Sequence, residues 1–334
     1  MNRKNRGITL LELLVAMAIS LIVLFAVTNV YLSTRANTRL QSGMSRINEN
    51  AQVSADALAR DIRLVAHMGC PALGEVARGF RRLSRDSIDD TGAPNSFAMT
   101  PTSAVRVFAA AGTMPTIAVA GSPVIDVIHA ASAGAHLLAA TTVRRVSPTS
   151  SVATSLFLRG DPGIKMPSVS ATNSYPAAII SDCATAEVFQ VLAVSNNPWK
   201  VDPFNLLRTT YSQDARVMPV TRTQYFVGNH VRPAGERTTR AIFKRTMRAD
   251  GYNWGSSEPM VHDVDSMAIT MEVDTDGIFS TDTSMPSTSA YDASKVVGMT
   301  INLVLQTPST IVGTTGLAVK RTSTATTTIR SRTI

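Results

Sequence analysis

Hydrophobic and polar positions divide the chain into three textures. From Leu13 to Thr34, 22 residues carry no formal charge, with Ser20, Thr28 and Asn29 as the main polar interruptions. At about 1.5 Å rise per residue a helix of that length spans roughly 33 Å, close to the ~30 Å hydrocarbon core of a bilayer. Beyond it, Leu40, Met44, Ile47, Ala51, Ser54, Leu58, Ile62 and Val65 recur at steps of three and four, Ser54 being the one polar member. That spacing puts an apolar stripe on one helix face, with Arg39, Arg46, Glu49, Asp56, Arg60 and Arg63 around the rest. The stripe predicts packing on a sheet of the same chain; the alternative is a coiled coil. Met68-Gly69-Cys70-Pro71 predicts the helix end, because Gly suits a left-handed cap and Pro cannot continue the helix. Ile8 to Met68 then forms one rod of about 61 residues, roughly 90 Å long.

The third texture begins after Pro71. Residues 71–103 are rich in Gly, Pro, Ser and Asp, with a basic cluster at Arg78, Arg81, Arg82 and Arg85, and predict an irregular connection. Short β-rich runs follow between turn signals: Ala104–Ala109, Val124–His129, Thr142–Val146, Ser155–Arg159, Ala177–Ser181 and Glu187–Val194. Later runs are Gln224–Val227, Ala241–Arg245, Met267–Val273, Lys295–Leu305 and Thr324–Arg330. One long helix followed by mostly antiparallel strands makes the fold class α+β.

Charge gives this pattern an orientation. Arg3, Lys4 and Arg6 precede the apolar span, and basic residues there favour a cytoplasmic N-terminus with the rest of the chain outside the cytoplasm. The formal charge is +8, and losing those three residues leaves +5 on side chains, a mild basicity that reads as a solvated face rather than a DNA contact. Two cysteines, Cys70 and Cys183, in an extracytoplasmic chain read as one disulfide; the alternative is a pair of buried free thiols. A bridge across a loop of that size contributes up to about 4–5 kcal/mol in the chain-entropy model. No CxxC or HxxxH spacing accompanies them, which argues against zinc.

Glu12 stands at the start of the apolar span, where a bare charge costs at least ~2.5 kcal/mol on insertion scales and needs a partner. Three readings compete for this N-terminus. A cleaved secretory signal is opposed by Glu12 and by a helical pattern running far past any cut near Ser33. A plain anchor explains the length and leaves Glu12 unexplained. The third reading rests on Gly7-Ile8-Thr9-Leu10-Leu11-Glu12, which resembles the prepilin peptidase site of type IV pilins and type II secretion pseudopilins. The resemblance implies a leader at 1–7 removed after Gly7, N-methylation of the new terminus Ile8, and a pilin-like fold. It also implies a membrane and assembly helix at 8–34, an amphipathic continuation at 35–69 and a β-rich extracytoplasmic head at 70–334. The Ile8 amine so created lies one helical turn, about 6 Å, from Glu12. Glu12 of one subunit then meets the Ile8 amine of its neighbour, neutralising both charges and favouring one axial register.

Further segments resemble the PilW family of minor pilins. They are His67-Met68-Gly69-Cys70, Ser181-Asp182-Cys183 before Glu187-Val188-Phe189-Gln190-Val191, Thr223-Gln224-Tyr225-Phe226-Val227, Ala241-Ile242-Phe243-Lys244-Arg245, Val264-Asp265-Ser266-Met267, the late strand Val296–Leu305 and the arginine-containing end from Lys320-Arg321 to Ile329-Arg330. That resemblance implies a minor pilin held in the inner membrane with its head in the periplasm and then placed in the pilus, at or near its tip. Its implied partners are prepilin peptidase, the inner-membrane assembly machinery, other minor pilins and the major pilin. A type II secretion minor pseudopilin of the J type shares leader, helix and head. A membrane-anchored module binding DNA or a surface is the alternative from another class.

Other chemistry is sparse. Asp274 and Asp276, before Gly277, form a DxDG turn able to ligate calcium, although the third ligand and later Glu of an EF-hand loop are missing, so a polar β-turn is the plainer reading. The histidines His67, His129, His136, His230 and His262 form no metal-spaced pair. GxSxG, Walker A, HExxH and GxGxxG are absent, so no enzyme and no cofactor is expected. Arg232, Arg237, Arg240, Lys244, Arg245 and Arg248 form a basic run with only Phe243 interleaved, which predicts a solvated hairpin rather than a nucleic-acid track.

Overall fold

A computed structural model describes residues 10–65, 67, 69, 105–110, 112, 114–131, 133–141, 155–164, 176–182, 186–203, 207, 210–231, 239–247, 254–274, 283–286, 295–307 and 318–329. The leader with Gly7 and Ile8, both cysteines (Cys70 and Cys183), Asp276, the basic cluster from Arg78 to Arg85 and the run Thr142–Val146 lie outside the described residues.

Helix α1, Leu10–Arg63, runs 54 residues without interruption. It ends five residues before Met68. Leu64 and Val65 continue as tightened turns whose N–H groups donate to Asp61 and Ile62 carbonyls at 3.2 and 3.0 Å. Gly69 holds φ +104°, and a Cβ there would stand 2.8 Å from Ser181 Oγ, so glycine is required both by conformation and by space. The expected stripe holds at Ile47, Ser54, Leu58, Ile62 and Val65, all buried, while Met44 is exposed and Gly43 is buried in its place. Gly43 sits one position off the expected row. Ser54 satisfies its hydroxyl within the helix, donating to the Ala51 carbonyl at 2.9 Å.

The strands are β1 (Val105–Ala109), β2 (Pro123–Ala130), β3 (Ala135–His136), β4 (Leu156–Phe157), β5 (Ala177–Ser181), β6 (Ala186–Asn196), β7 (Trp199–Pro203), β8 (Arg216–His230), β9 (Thr239–Thr246), β10 (Glu258–His262), β11 (Val264–Val273), β12 (Thr283–Pro286), β13 (Val296–Gln306) and β14 (Lys320–Thr328). They form a 10-stranded sheet and a 4-stranded sheet of order β12-β11-β13-β14, and every described pairing of strands is antiparallel. A long N-terminal helix on antiparallel sheets is the pilin-like α+β arrangement.

β8 is the spine of the larger sheet. Its first residues pair with β3 and β5, and from Val220 onward it pairs with β2 and then β9. The small sheet alternates cleanly. Met267, Ile269, Met271, Met299, Ile301, Leu303 and Leu305 point inward, while Thr300, Asn302, Thr322, Thr324 and Thr326 point out. Its inner face, the large sheet and the last turns of α1 share one core, with Ile47, Leu58, Ile62 and Val65 from the helix, Ile125, Val127, Tyr225 and Ile242 from the large sheet, and Ile301 and Leu305 from the small one. A second core lies around β4–β7 and a third, smaller one around Val124, Phe226 and Phe243.

Candidate functional site

The N-terminal half of α1 has the composition and length to cross a membrane, and none of that apolar window is buried against the protein. Leu10, Leu21, Phe25 and Val30 are each more than 60% exposed, a surface that water penalises and hydrocarbon does not. Two polar side chains within it are satisfied locally. Ser20 donates to the Ala16 carbonyl at 2.8 Å and Thr28 to the Leu24 carbonyl at 2.7 Å. Glu12 lies in the first turn, exposed between Leu11 and Leu13. A carboxylate there suits the positive end of the helix dipole. Tyr31 and Arg35 close the apolar segment with an aromatic ring and then the first cation, the order found at a membrane–water boundary.

The second half of α1 is tied to the head by polar contacts at separate heights. Asn50 Nδ2 donates to the His262 carbonyl at 3.2 Å, and Arg321 Nη1 donates to Asn48 Oδ1. Near the C-terminal end, Asp61 accepts from the Tyr225 hydroxyl and from Lys244 Nζ at 3.0 Å. Burial and the adjacent Asp61 carboxylate push the Tyr225 hydroxyl well above the usual phenol range, so it stays a donor. Together with the shared core, these contacts attach the second half of α1 to the head.

The opposite face of the large sheet carries a polar row that the sequence does not announce. Arg106, Asp126, Gln224 and Arg245 are successive cross-strand partners on β1, β2, β8 and β9. Arg222, two residues from Gln224, donates to Asp126 through Nε at 3.0 Å and Nη2 at 2.6 Å, and Arg106 Nη2 donates at 2.9 Å. Burial raises the Asp126 pKa, but the Arg222 and Arg106 guanidinium groups outweigh it and hold the carboxyl below its usual range. Arg245 donates to Gln224 Oε1 at 2.8 Å and lies 4.4 Å from the Trp254 ring centre. Burial, with the Arg222 charge nearby, lowers its pKa to about 10.

At Arg245 this row departs from the reading of the basic run as a solvated hairpin, while Arg240 is exposed. Strand alternation sends Lys244 to Asp61 on the helix side and buries Arg245 on the other, while Arg240 Nη1 donates to the Asp265 carbonyl at 2.8 Å. These three cations hold the head together and form no common track. Arg232, Arg237 and Arg248 lie outside the described residues.

Asp274 is buried at the end of β11, its N–H donating to the Lys295 carbonyl at 2.9 Å. Among the described residues no three His, Cys, Asp or Glu side chains converge. Four of the histidines come together in pairs, although their spacing gives no sign of it. His67 lies near enough to His129 that burial and that neighbour lower its pKa, and the His230 and His262 rings lie 4.7 Å apart.

Residues 2–28 match the prokaryotic N-terminal methylation motif. No curated protein and no solved structure matches the chain. The motif is prepilin-type and supports a type IV pilin or pseudopilin role. It implies processing by prepilin peptidase and assembly with other pilins, and it points to a structural protein in a membrane-anchored setting.

Proposed function

We propose that the chain is a minor pilin of the type IV pilus resembling PilW. In this reading prepilin peptidase cuts between Gly7 and Ile8, Ile8 is N-methylated, and the product assembles with other minor pilins to prime pilus assembly. Twitching motility and adhesion depend on that priming. The observation that carries the proposal is the methylation motif on a helix whose first half is bare and whose second half is locked into the head. A bare apolar rod on a rigid head is suited to packing against parallel copies of the same element.

Glu12 gives the rod its register. A carboxylate at membrane depth costs at least ~2.5 kcal/mol when its charge is not neutralised, and a neighbour's Ile8 amine neutralises Glu12 only when the two helices are staggered correctly. A head of about 265 residues fits poorly into every position of a filament lattice, which favours the tip. Uniform labelling along purified pili at major-pilin abundance would exclude that placement. The Cys70–Cys183 disulfide belongs to the same reading, and the close approach of Gly69 to Ser181 supports it.

Chromosomal Glu12→Ala tests the proposal. Membrane insertion should persist while filament initiation and twitching are lost; normal piliation in that strain would refute it. A deletion strain that twitches normally but fails in protein secretion would assign the chain to the J-type pseudopilins instead. Function undiminished by Glu12→Ala would favour a tethered binding module.

A further inference from the structure

We infer that His230 and His262 form a binding site for a divalent transition-metal ion, copper(II) or zinc. His230 ends β8 and His262 ends β10, with β9 between them in the sheet. Their ring centres are 4.7 Å apart and their planes tilted by 59°. Metal–nitrogen bonds of about 2.0–2.1 Å put an ion roughly 3.2 Å from an imidazole centre. Two imidazoles sharing one ion at bond angles between ~90° and ~109° then have centres roughly 4.5–5.2 Å apart. The observed separation falls inside that window, and the tilt suits two ligands converging from β8 and β10 across the intervening β9. Parallel stacking would give a smaller angle.

The surroundings point the same way. His230 Nδ1 is buried and has no hydrogen-bond partner among the described residues, and the same holds for Thr239 Oγ1. Thr239 is the cross-strand partner of His230, so the two residues carrying these unmatched atoms face each other across β8 and β9. A buried acceptor or donor without a partner is unfavourable, and a cation bound by the imidazole satisfies it for His230. Phe243 backs the pair, 6.2 Å from the His230 ring, and fills the space left by the absent side chain of Gly228. The ligands are carried on paired strands, with the His262 carbonyl anchored to α1 by Asn50, so little ordering accompanies binding. Two imidazoles leave open positions for water or the Thr239 hydroxyl. Imidazole suits copper(II), zinc and nickel, with copper(II) bound most tightly.

The test uses full-length protein without a histidine tag, in detergent micelles at pH 7.5, titrated calorimetrically with copper(II) and with zinc. One ion per chain is expected, with copper bound more tightly. His230→Gln and His262→Gln should each weaken it at least ~10-fold, while His136→Gln, whose Nδ1 bonds the Asp214 carbonyl at a separate place, leaves it unchanged. Absence of a one-to-one event for both metals, or equal affinity in the two Gln variants and wild type, overturns the site. Pulsed EPR of copper-loaded wild type counts coordinated imidazoles without any substitution. Two support the site; one or none overturns it. Neither readout depends on whether the chain assembles into a pilus.

Discussion

Replacing Asp126 with Ala removes the acceptor at the centre of the buried polar row. Asp126 and Arg222 are each 1% exposed, and the carboxylate accepts from Arg222 at 2.6, 3.0 and 3.2 Å. Arg106 is 38% exposed and can turn to water, so its loss of a partner costs little. Arg222 cannot turn out. Leaving a buried guanidinium without its carboxylate costs about 3–5 kcal/mol, whereas exchanging a whole buried ion pair for apolar residues of similar volume is often neutral. Asp126→Ala should therefore destabilise the head by about 3–5 kcal/mol, and Asp126→Leu with Arg222→Met should recover most of that loss. Trp254 reports the event, because its ring centre lies 5.3 Å from the Arg222 guanidinium and 4.4 Å from that of Arg245. Urea unfolding of the full chain in micelles, followed by Trp emission, gives both values. A single-variant cost below about 1 kcal/mol, or a double variant as unstable as the sum of two singles, would refute the reasoning.

Three further outcomes follow from the same contacts. Tyr225→Phe removes a hydrogen bond to a carboxylate and should cost about 1.5–3 kcal/mol in the same unfolding assay, since Asp61 then keeps Lys244 but loses its phenol donor. Leu58→Ala, at a fully buried helix position, should cost about 2–5 kcal/mol. Acid should act in two stages. His67 has a lowered pKa when folded, so stability falls as pH drops below its unfolded value of about 6.5, where only the unfolded chain takes up the proton. Asp126 also has a lowered folded pKa. Its contribution is complete above an unfolded pKa of about 3.9 and is lost as pH falls through the folded one. His67→Gln should abolish the first stage only, as read by Tm against pH.

The long elements are legible in the sequence because their periods are long. Helix α1, the strands from Ala177 and Val296, and β11 from Met267 onward follow directly from apolar spacing. β7 and β10 do not, because Pro203 and Pro259 read as breakers, and both strands sit toward sheet margins where a missing N–H is tolerated. β8 reads as four residues around Tyr225 but runs from Arg216 to His230. Its Pro219, Arg222 and Gln224 look like interruptions until the Asp126 network satisfies two of them. The methylation motif over residues 2–28 is legible because it is local. Asp61 with Tyr225 and Lys244, and His230 with His262, are pairings across strands or elements that no sequence interval encodes.

The most direct test of the assembly account is the N-terminus of the mature protein, read by intact mass and terminal sequencing from membrane and pilus fractions. The account predicts a chain beginning at N-methylated Ile8. A chain still beginning at Met1, or one beginning beyond Ser33, would contradict it.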